Sequence, residues 1–302
     1  MIDQSKVNRG TAFLLKKSEW GNHNLINSIA LLAVFVGLVG IGWLIEQLHW
    51  VPAILLGIPL FGILFFTLYI LVVHEASHRM LFLVKGKRAR RWINRLVAYP
   101  ICALSFQDFY LSWEKGHHEH HRAPVEDDDP QNCPHFCHYG KDLWAECLKT
   151  LFLVGYAFQK QSSCITHDKR AIRRGLIQGI FVWGIILLAL YTLGYYKTGV
   201  AMLASSNVVM VLNLIKVSME HGGHTGRRDQ MIYRSKSSLF PLRSILMPLN
   251  ISLHFEHHLN PRIPWYRLPQ YHRMLRQELA SDIQEQVYNL GARQTWKQIT
   301  QG

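Results

Sequence analysis

Three short stretches of this chain concentrate a metal-binding side chain. "HEASH" carries His74 and His78, "GHHEHH" carries His117, His120 and His121, and "LHFEHH" carries His254, His257 and His258. On a helix, residues four apart share a face, and the residue three along joins them from the other side. His74 and His78 can therefore aim at one point, and each His-x-x-His-His run offers a face with three imidazoles. A tetrahedral zinc site takes four ligands and seldom only histidines. Eight imidazoles exceed one ion's need and suit two, and imidazole suits iron, copper, nickel or zinc alike. Two further histidines, His221 and His224, stand in "MEHGGH".

The elements that must position these residues are membrane spans. The chain has 302 residues, of which 49% are hydrophobic, yet its formal net charge is +13. A soluble nucleic-acid binder would spread its basic residues over a polar surface. Here long uncharged runs alternate with basic ones, which is the pattern of a membrane protein. Leu25 to Ile45, Val51 to Val73, Leu176 to Tyr196 and Thr198 to Ile215 carry no charge. About 20 apolar residues suffice for a spanning helix. We therefore expect an all-α integral membrane protein with a single domain over residues 1–302. Its four spans lie near 25–48, 51–73, 176–196 and 198–216, in two hairpins. A cytoplasmic helical cap, 79–175 and 217–302, carries the histidines. Leu96 to Gln107 is too short to span and is expected to be re-entrant or interfacial. Leu143 to Phe158 is expected to be an interfacial helix.

Lys and Arg crowd the segments Arg79 to Arg95 and Lys160 to Arg174 and the first 24 residues, but not the two hairpin turns near Glu46 and Lys197. The positive-inside bias then puts both termini and every histidine cluster on the cytoplasmic side, as in a bacterial inner membrane. No short apolar leader with a small-residue cleavage site precedes the first span, so no cleaved signal peptide is expected. Five cysteines in no disulfide-like framework read as reduced thiols.

In their order and in their flanking residues, "HEASHRMLF", "WEKGHHEHHRAPVEDDDP" and "HFEHHLNPRIPWYRLPQYHRML" resemble the membrane fatty acid desaturase and hydroxylase superfamily. The resemblance runs from about Val72 to Leu275. It implies a non-haem centre of two iron ions that uses dioxygen and two electrons to attack an unactivated C–H bond of a lipid chain. Carried over by position, it implies His74, His78, His117, His120, His121, His254, His257 and His258 as ligands, with His221 completing the set after the fourth span. Related stearoyl-CoA desaturases have an asparagine four residues before that last histidine, where this chain has Val217. The chain has neither a haem-binding His-Pro-Gly-Gly motif nor a dinucleotide-binding glycine loop. Its electrons would come from an external donor such as ferredoxin or cytochrome b5. The acyl substrate could be carried on a lipid, on CoA or on acyl carrier protein.

Acyl desaturation is the first expectation. A hydroxylase or ketolase of lipids or carotenoids on the same centre is the alternative, and a non-enzymatic membrane protein that binds metal is the reading from another class. His224, Glu75, Glu119, Glu220 and Glu256 are candidates for contacts behind the ligands or for an alternative ligand. His23, His49, His167 and His272 read as surface residues, and His118 as facing away from its cluster. The acidic run Glu126 to Asp129 reads as solvated, with the option that one member orients a histidine. Cys133, His135, Cys137 and His138 form a weak zinc-like pattern.

Overall fold

The computed structural model describes residues 10–131, 141–152 and 169–301. They are mostly helical. Four helices are long and apolar enough to cross a membrane: α1 (Trp20–Gln47), α2 (Trp50–Leu68), α6 (Lys169–Thr192) and α7 (Tyr196–His221). Their outward faces expose Val36, Val39, Trp43, Phe181 and Leu188, an apolar surface that suits lipid better than water. Between α2 and α6 come α3 (Lys87–Ala103), α4 (Gly116–Arg122) and α5 (Lys141–Phe152). Beyond α7 the chain makes a two-residue strand β1 (Ser237–Ser238), α8 (Arg243–Leu246) and α9 (His254–Leu259). It continues with α10 (Leu268–Glu278), α11 (Ser281–Val287), strand β2 (Tyr288–Asn289) and α12 (Ala292–Gln301). The two strands pair in parallel, Ser237 opposite Tyr288.

Small residues let the long helices meet closely. A Cβ on Gly57 of α2 would stand 2.4 Å from Ile45 of α1 and 2.8 Å from Ala201 of α7, and one on Gly62 would stand 2.5 Å from Val208. Phe61, Phe65 and Phe66 fill the space between α2 and its neighbours. At the opposite end from the histidines, Lys197 caps the carbonyls of Glu46 and Leu48 at 2.7 and 2.6 Å.

Two features of local geometry aim the first two histidine clusters. α2 runs on through a π-helical stretch, Tyr69–His74, and one further turn, Glu75–Ser77. A second π-helical stretch, Phe109–Lys115, leads into α4. A π turn takes one more residue per hydrogen-bonded loop than an α turn, so it rotates everything after it about the helix axis. The loop after His78 is then stapled to α1. Asn24 bonds Leu83, Asn27 donates to the Leu81 carbonyl at 2.8 Å, and His23 meets the Met80 carbonyl at 2.5 Å.

Leu96 to Gln107 is not a separate segment: most of it is the second half of α3, whose first half is strongly basic. Reading the uncharged window alone missed the amphipathic helix that contains it. Arg91, Arg95 and Arg79 all converge on the buried Glu114 carboxylate, at 2.6, 2.5 and 3.2 Å, and tie α3 to the entrance of α4. The expected helix at Leu143 to Phe158 is seen as α5 up to Phe152, with Leu148 and Phe152 exposed; its remainder lies outside the described residues.

Candidate metal centre

The nine histidines carried over by position converge into two adjacent groups. His74, His78, His117, His121 and His257 form one; His120, His221, His254 and His258 form the other. Within each group one ring nitrogen per residue lies within 4.8 Å of all the others. The stacked rings of His121 and His258, 4.2 Å apart, join the groups.

The His-x-x-His-His spacing explains how one short helix serves two places. In α4 the i,i+4 pair His117 and His121 points into the first group, and His120, about 100° round from His121, points into the second. In α9 the roles are exchanged: the i,i+4 pair His254 and His258 enters the second group and His257 the first. His74 and His78, from the end of α2, complete the five; His221, the last residue of α7, completes the four.

The ring nitrogens sort by side. Where a partner fixes the ring, it is mostly at Nδ1. His221 Nδ1 donates to the Arg234 carbonyl at 2.7 Å, with its Nε2 turned toward His254. His117 Nδ1 meets Gln131 Oε1 at 2.8 Å, and His120 Nδ1 meets Asp129 Oδ2 at 2.8 Å. His74 Nδ1 lies 3.3 Å from Glu75 Oε1, and His254 Nδ1 lies 3.2 Å from Glu220 Oε1. The Nε2 atoms face inward. Those of His221 and His254 stand 2.8 Å apart, and His121 Nε2 stands 3.2 Å from that of His117 and 3.1 Å from that of His257. The Nε2 atoms of His74, His78 and His258 are buried without a hydrogen-bond partner. Buried polar atoms are nearly always satisfied. A cation among ring nitrogens this close would take up the lone pairs that face it. An anchored Nδ1 with the other nitrogen turned inward, as at His74, His117 and His221, is the arrangement that fixes metal-ligating imidazoles, so these residues fit metal ions.

Electrostatics agrees. Burial, reinforced by the neighbouring rings, holds the pKa values of His78, His117, His121, His254, His257 and His258 well below the usual histidine range. These rings are neutral at physiological pH, which is the protonation state a metal requires.

The structure also places the secondary candidates. Glu75 and Glu220 lie behind rings of the two histidine groups as above. Glu256 turns away from the metal side: Ser237 and His272 both bond its carboxylate, the latter at 2.5 Å, and so anchor α9 to β1 and α10. Glu119 is half-exposed and lies 3.9 Å from Lys115. His224 is exposed beyond the end of α7, and His118 is exposed on the outer side of α4. His49 is exposed as expected. His23 and His272 correct the surface reading, since both are buried in hydrogen-bonded networks. His167 and the Cys133, His135, Cys137, His138 pattern lie outside the described residues.

Asp129, the one buried member of its acidic run, is the member that orients a histidine, His120, whereas Glu126 pairs with Arg234 at 2.5 Å. Other residues of the site carried no usable signal. Gln131, Arg234 and Lys216 are single polar residues with nothing in their neighbours to mark them. Trp113, with its ring 5.0 Å from His117, bonds Gln107 at 2.8 Å and Tyr69 at 2.9 Å directly beneath the first group.

Comparison with known proteins agrees with this geometry. The fatty acid desaturase family profile matches residues 48–288, which includes every one of the nine histidines. A sphingolipid delta(4)-desaturase of Drosophila melanogaster is 27% identical over 258 residues, covering 82% of this chain and 71% of its own length. Histidines collected from α2, α4, α7 and α9 at one end of four apolar helices, within a match that spans most of the sequence, make this chain a member of the fatty acid desaturase family.

Proposed function

We propose that this chain desaturates a fatty acyl chain in or at the membrane, using a di-iron centre, dioxygen and electrons from an external donor. The observation that carries the proposal is the pair of adjacent histidine groups whose ring nitrogens converge, the Nε2 atoms of His74, His78 and His258 among them without a hydrogen-bond partner. His74, His78, His117, His121 and His257 would hold one iron, and His120, His221, His254 and His258 the other. When bound, the irons supply oxygen activation and C–H attack, chemistry that belongs to the metal rather than to the protein.

The chain's own part is positional. Asp129, Gln131, Glu220 and the Arg234 carbonyl set the ring orientations. The Arg79–Glu114 cluster and the α1 staple fix α2, α3 and α4 against one another. The bonded side chains of Trp113, Tyr69 and Gln107 pack the Trp113 ring against His74 and His117. The Lys and Arg distribution supports cytoplasmic histidine groups and termini. The sphingolipid named for the Drosophila relative supports an acyl chain carried on a membrane lipid.

Expression in a host without desaturases, followed by mass spectrometry of total lipid, tests the activity. A product lighter by two hydrogens, absent from His257→Ala, is expected. A product heavier by one oxygen would instead establish hydroxylation. Anaerobically purified protein should hold about two irons per chain; metal binding without oxygen consumption or lipid change would leave only a metal-binding protein.

A further inference from the structure

Lys216 is the one buried lysine among the described residues, 6% exposed on α7, five residues before His221. Burying an ammonium beside a place fit for two dications is costly on both counts: desolvation and like-charge repulsion. Its Nζ lies 2.6 Å from Glu220 Oε2, one turn along the same helix. That contact occupies one carboxylate oxygen. The other, Oε1, is buried 3.2 Å from His254 Nδ1, and neither of these two atoms has a hydrogen-bond partner elsewhere or with the other. The three groups form a line, ammonium to carboxylate to imidazole, that ends on a ring whose Nε2 faces His221 at 2.8 Å.

Glu220 directly precedes His221, so its carboxylate sits within reach of the same metal position. Nothing in its own rotamer freedom would keep it at His254. The neighbouring anchors differ in this respect. Asp129 is held by two backbone N–H groups, from Val125 and Gln131, each at 2.8 Å, and Arg234 uses a main-chain carbonyl. Glu220 has only Lys216.

We infer that Lys216 is a positioning residue: it holds the Glu220 carboxylate against His254 Nδ1 and so fixes His254 as a ligand of the four-histidine group. The inference rests on reading the histidine groups as iron sites, and its test is run on protein already shown to bind two irons and to lose them in His257→Ala.

The test is competition for Fe2+ between a chelator and purified, oxygen-free protein, comparing wild type with Lys216→Met, Glu220→Gln and the double variant. Positioning through Glu220 predicts that Lys216→Met weakens one of the two irons by about 10–100-fold. Glu220→Gln should lower it to a similar degree, and the double variant should be no weaker than Glu220→Gln alone. If Lys216 acts only as a nearby charge, its removal relieves repulsion and iron binds more tightly, which overturns the inference. If it serves only the fold, Lys216→Met lowers the melting temperature of metal-free protein and leaves affinity per folded chain unchanged, which also overturns it. Should Lys216→Met not fold, the double variant buries no unpaired charge and still decides: iron affinity weaker than that of Glu220→Gln would show that Lys216 acts by another route.

Discussion

Asp129→Asn removes a charge and replaces one acceptor oxygen by an NH2 group, with almost no change in shape. In the native site three donors share the carboxylate. His120 Nδ1 and the Val125 N–H both reach Oδ2 at 2.8 Å, and the Gln131 N–H reaches Oδ1 at 2.8 Å. Asparagine has one acceptor oxygen, so in its better orientation it keeps the first two and strands the third. A buried donor left without a partner costs about 1–3 kcal/mol. Asp129→Ala strands all three, roughly 3–9 kcal/mol on the same scale, which approaches the whole stability of a typical domain. The Gln131 N–H also matters indirectly, because Gln131 Oε1 holds His117 at 2.8 Å. Both histidine groups should therefore loosen, with iron affinity falling about 10–100-fold. The assays are iron retained per chain after dialysis against a chelator, and thermal unfolding in detergent. Asp127→Asn and Asp128→Asn are the controls: both residues are exposed, and their substitution should stay within about 0.5 kcal/mol. The reasoning is refuted if Asp129→Asn retains iron like wild type, or if all three asparagine variants behave alike.

His221→Ala should lose iron from the four-histidine group, whereas His224→Ala, altering an exposed residue past the helix end, should keep iron and activity; metal analysis of both variants checks this. Acid should destabilise the metal-free protein. His78, His117, His121, His254, His257 and His258 have folded pKa values depressed below the ordinary 6.5, so below about pH 6.5 the unfolded chain binds more protons than the folded one and stability falls as pH falls. Each such imidazole contributes up to about 1.4 kcal/mol per pH unit, taken up in collective steps, and a melting temperature flat between pH 7 and pH 5 would contradict the neutral-ring reading. For topology, a membrane-impermeant thiol reagent added outside intact cells should label Leu193→Cys in the exposed turn after α6 and miss Lys87→Cys at the start of α3; labelling at residue 87 would place the histidine groups on the wrong side.

The outcome at particular residues shows which information is local. Four uncharged runs gave four long helices, because a run long enough to cross a bilayer has few other ways to satisfy its backbone. The exceptions were places where a window was read without its neighbours. Leu96 to Gln107 looked isolated only because the basic half of α3 precedes it. His23 and His272 looked like solitary surface histidines, as His49 is. No pattern around them shows that the Met80 carbonyl or the Glu256 carboxylate will be brought to their rings.

The histidine boxes divide in the same way. Spacing along a helix is a local property, so the sequence alone determined that each box presents several imidazoles on one side, and that eight or nine together exceed one ion's need. It did not determine how they are shared. That His120 leaves its own box for the group of His254 and His258, while His257 crosses to that of His117 and His121, depends on α4 and α9 facing each other across more than a hundred residues of intervening chain. The anchoring groups depend on the same thing. Asp129, Gln131, the Arg234 carbonyl and the Lys216–Glu220 pair acquire their roles only when folding delivers them to within about 3 Å of an Nδ1 atom or of a group that touches one. Hydrogen-bond partners at such range are fixed by packing, and helical periodicity extends no further than the helix that carries it.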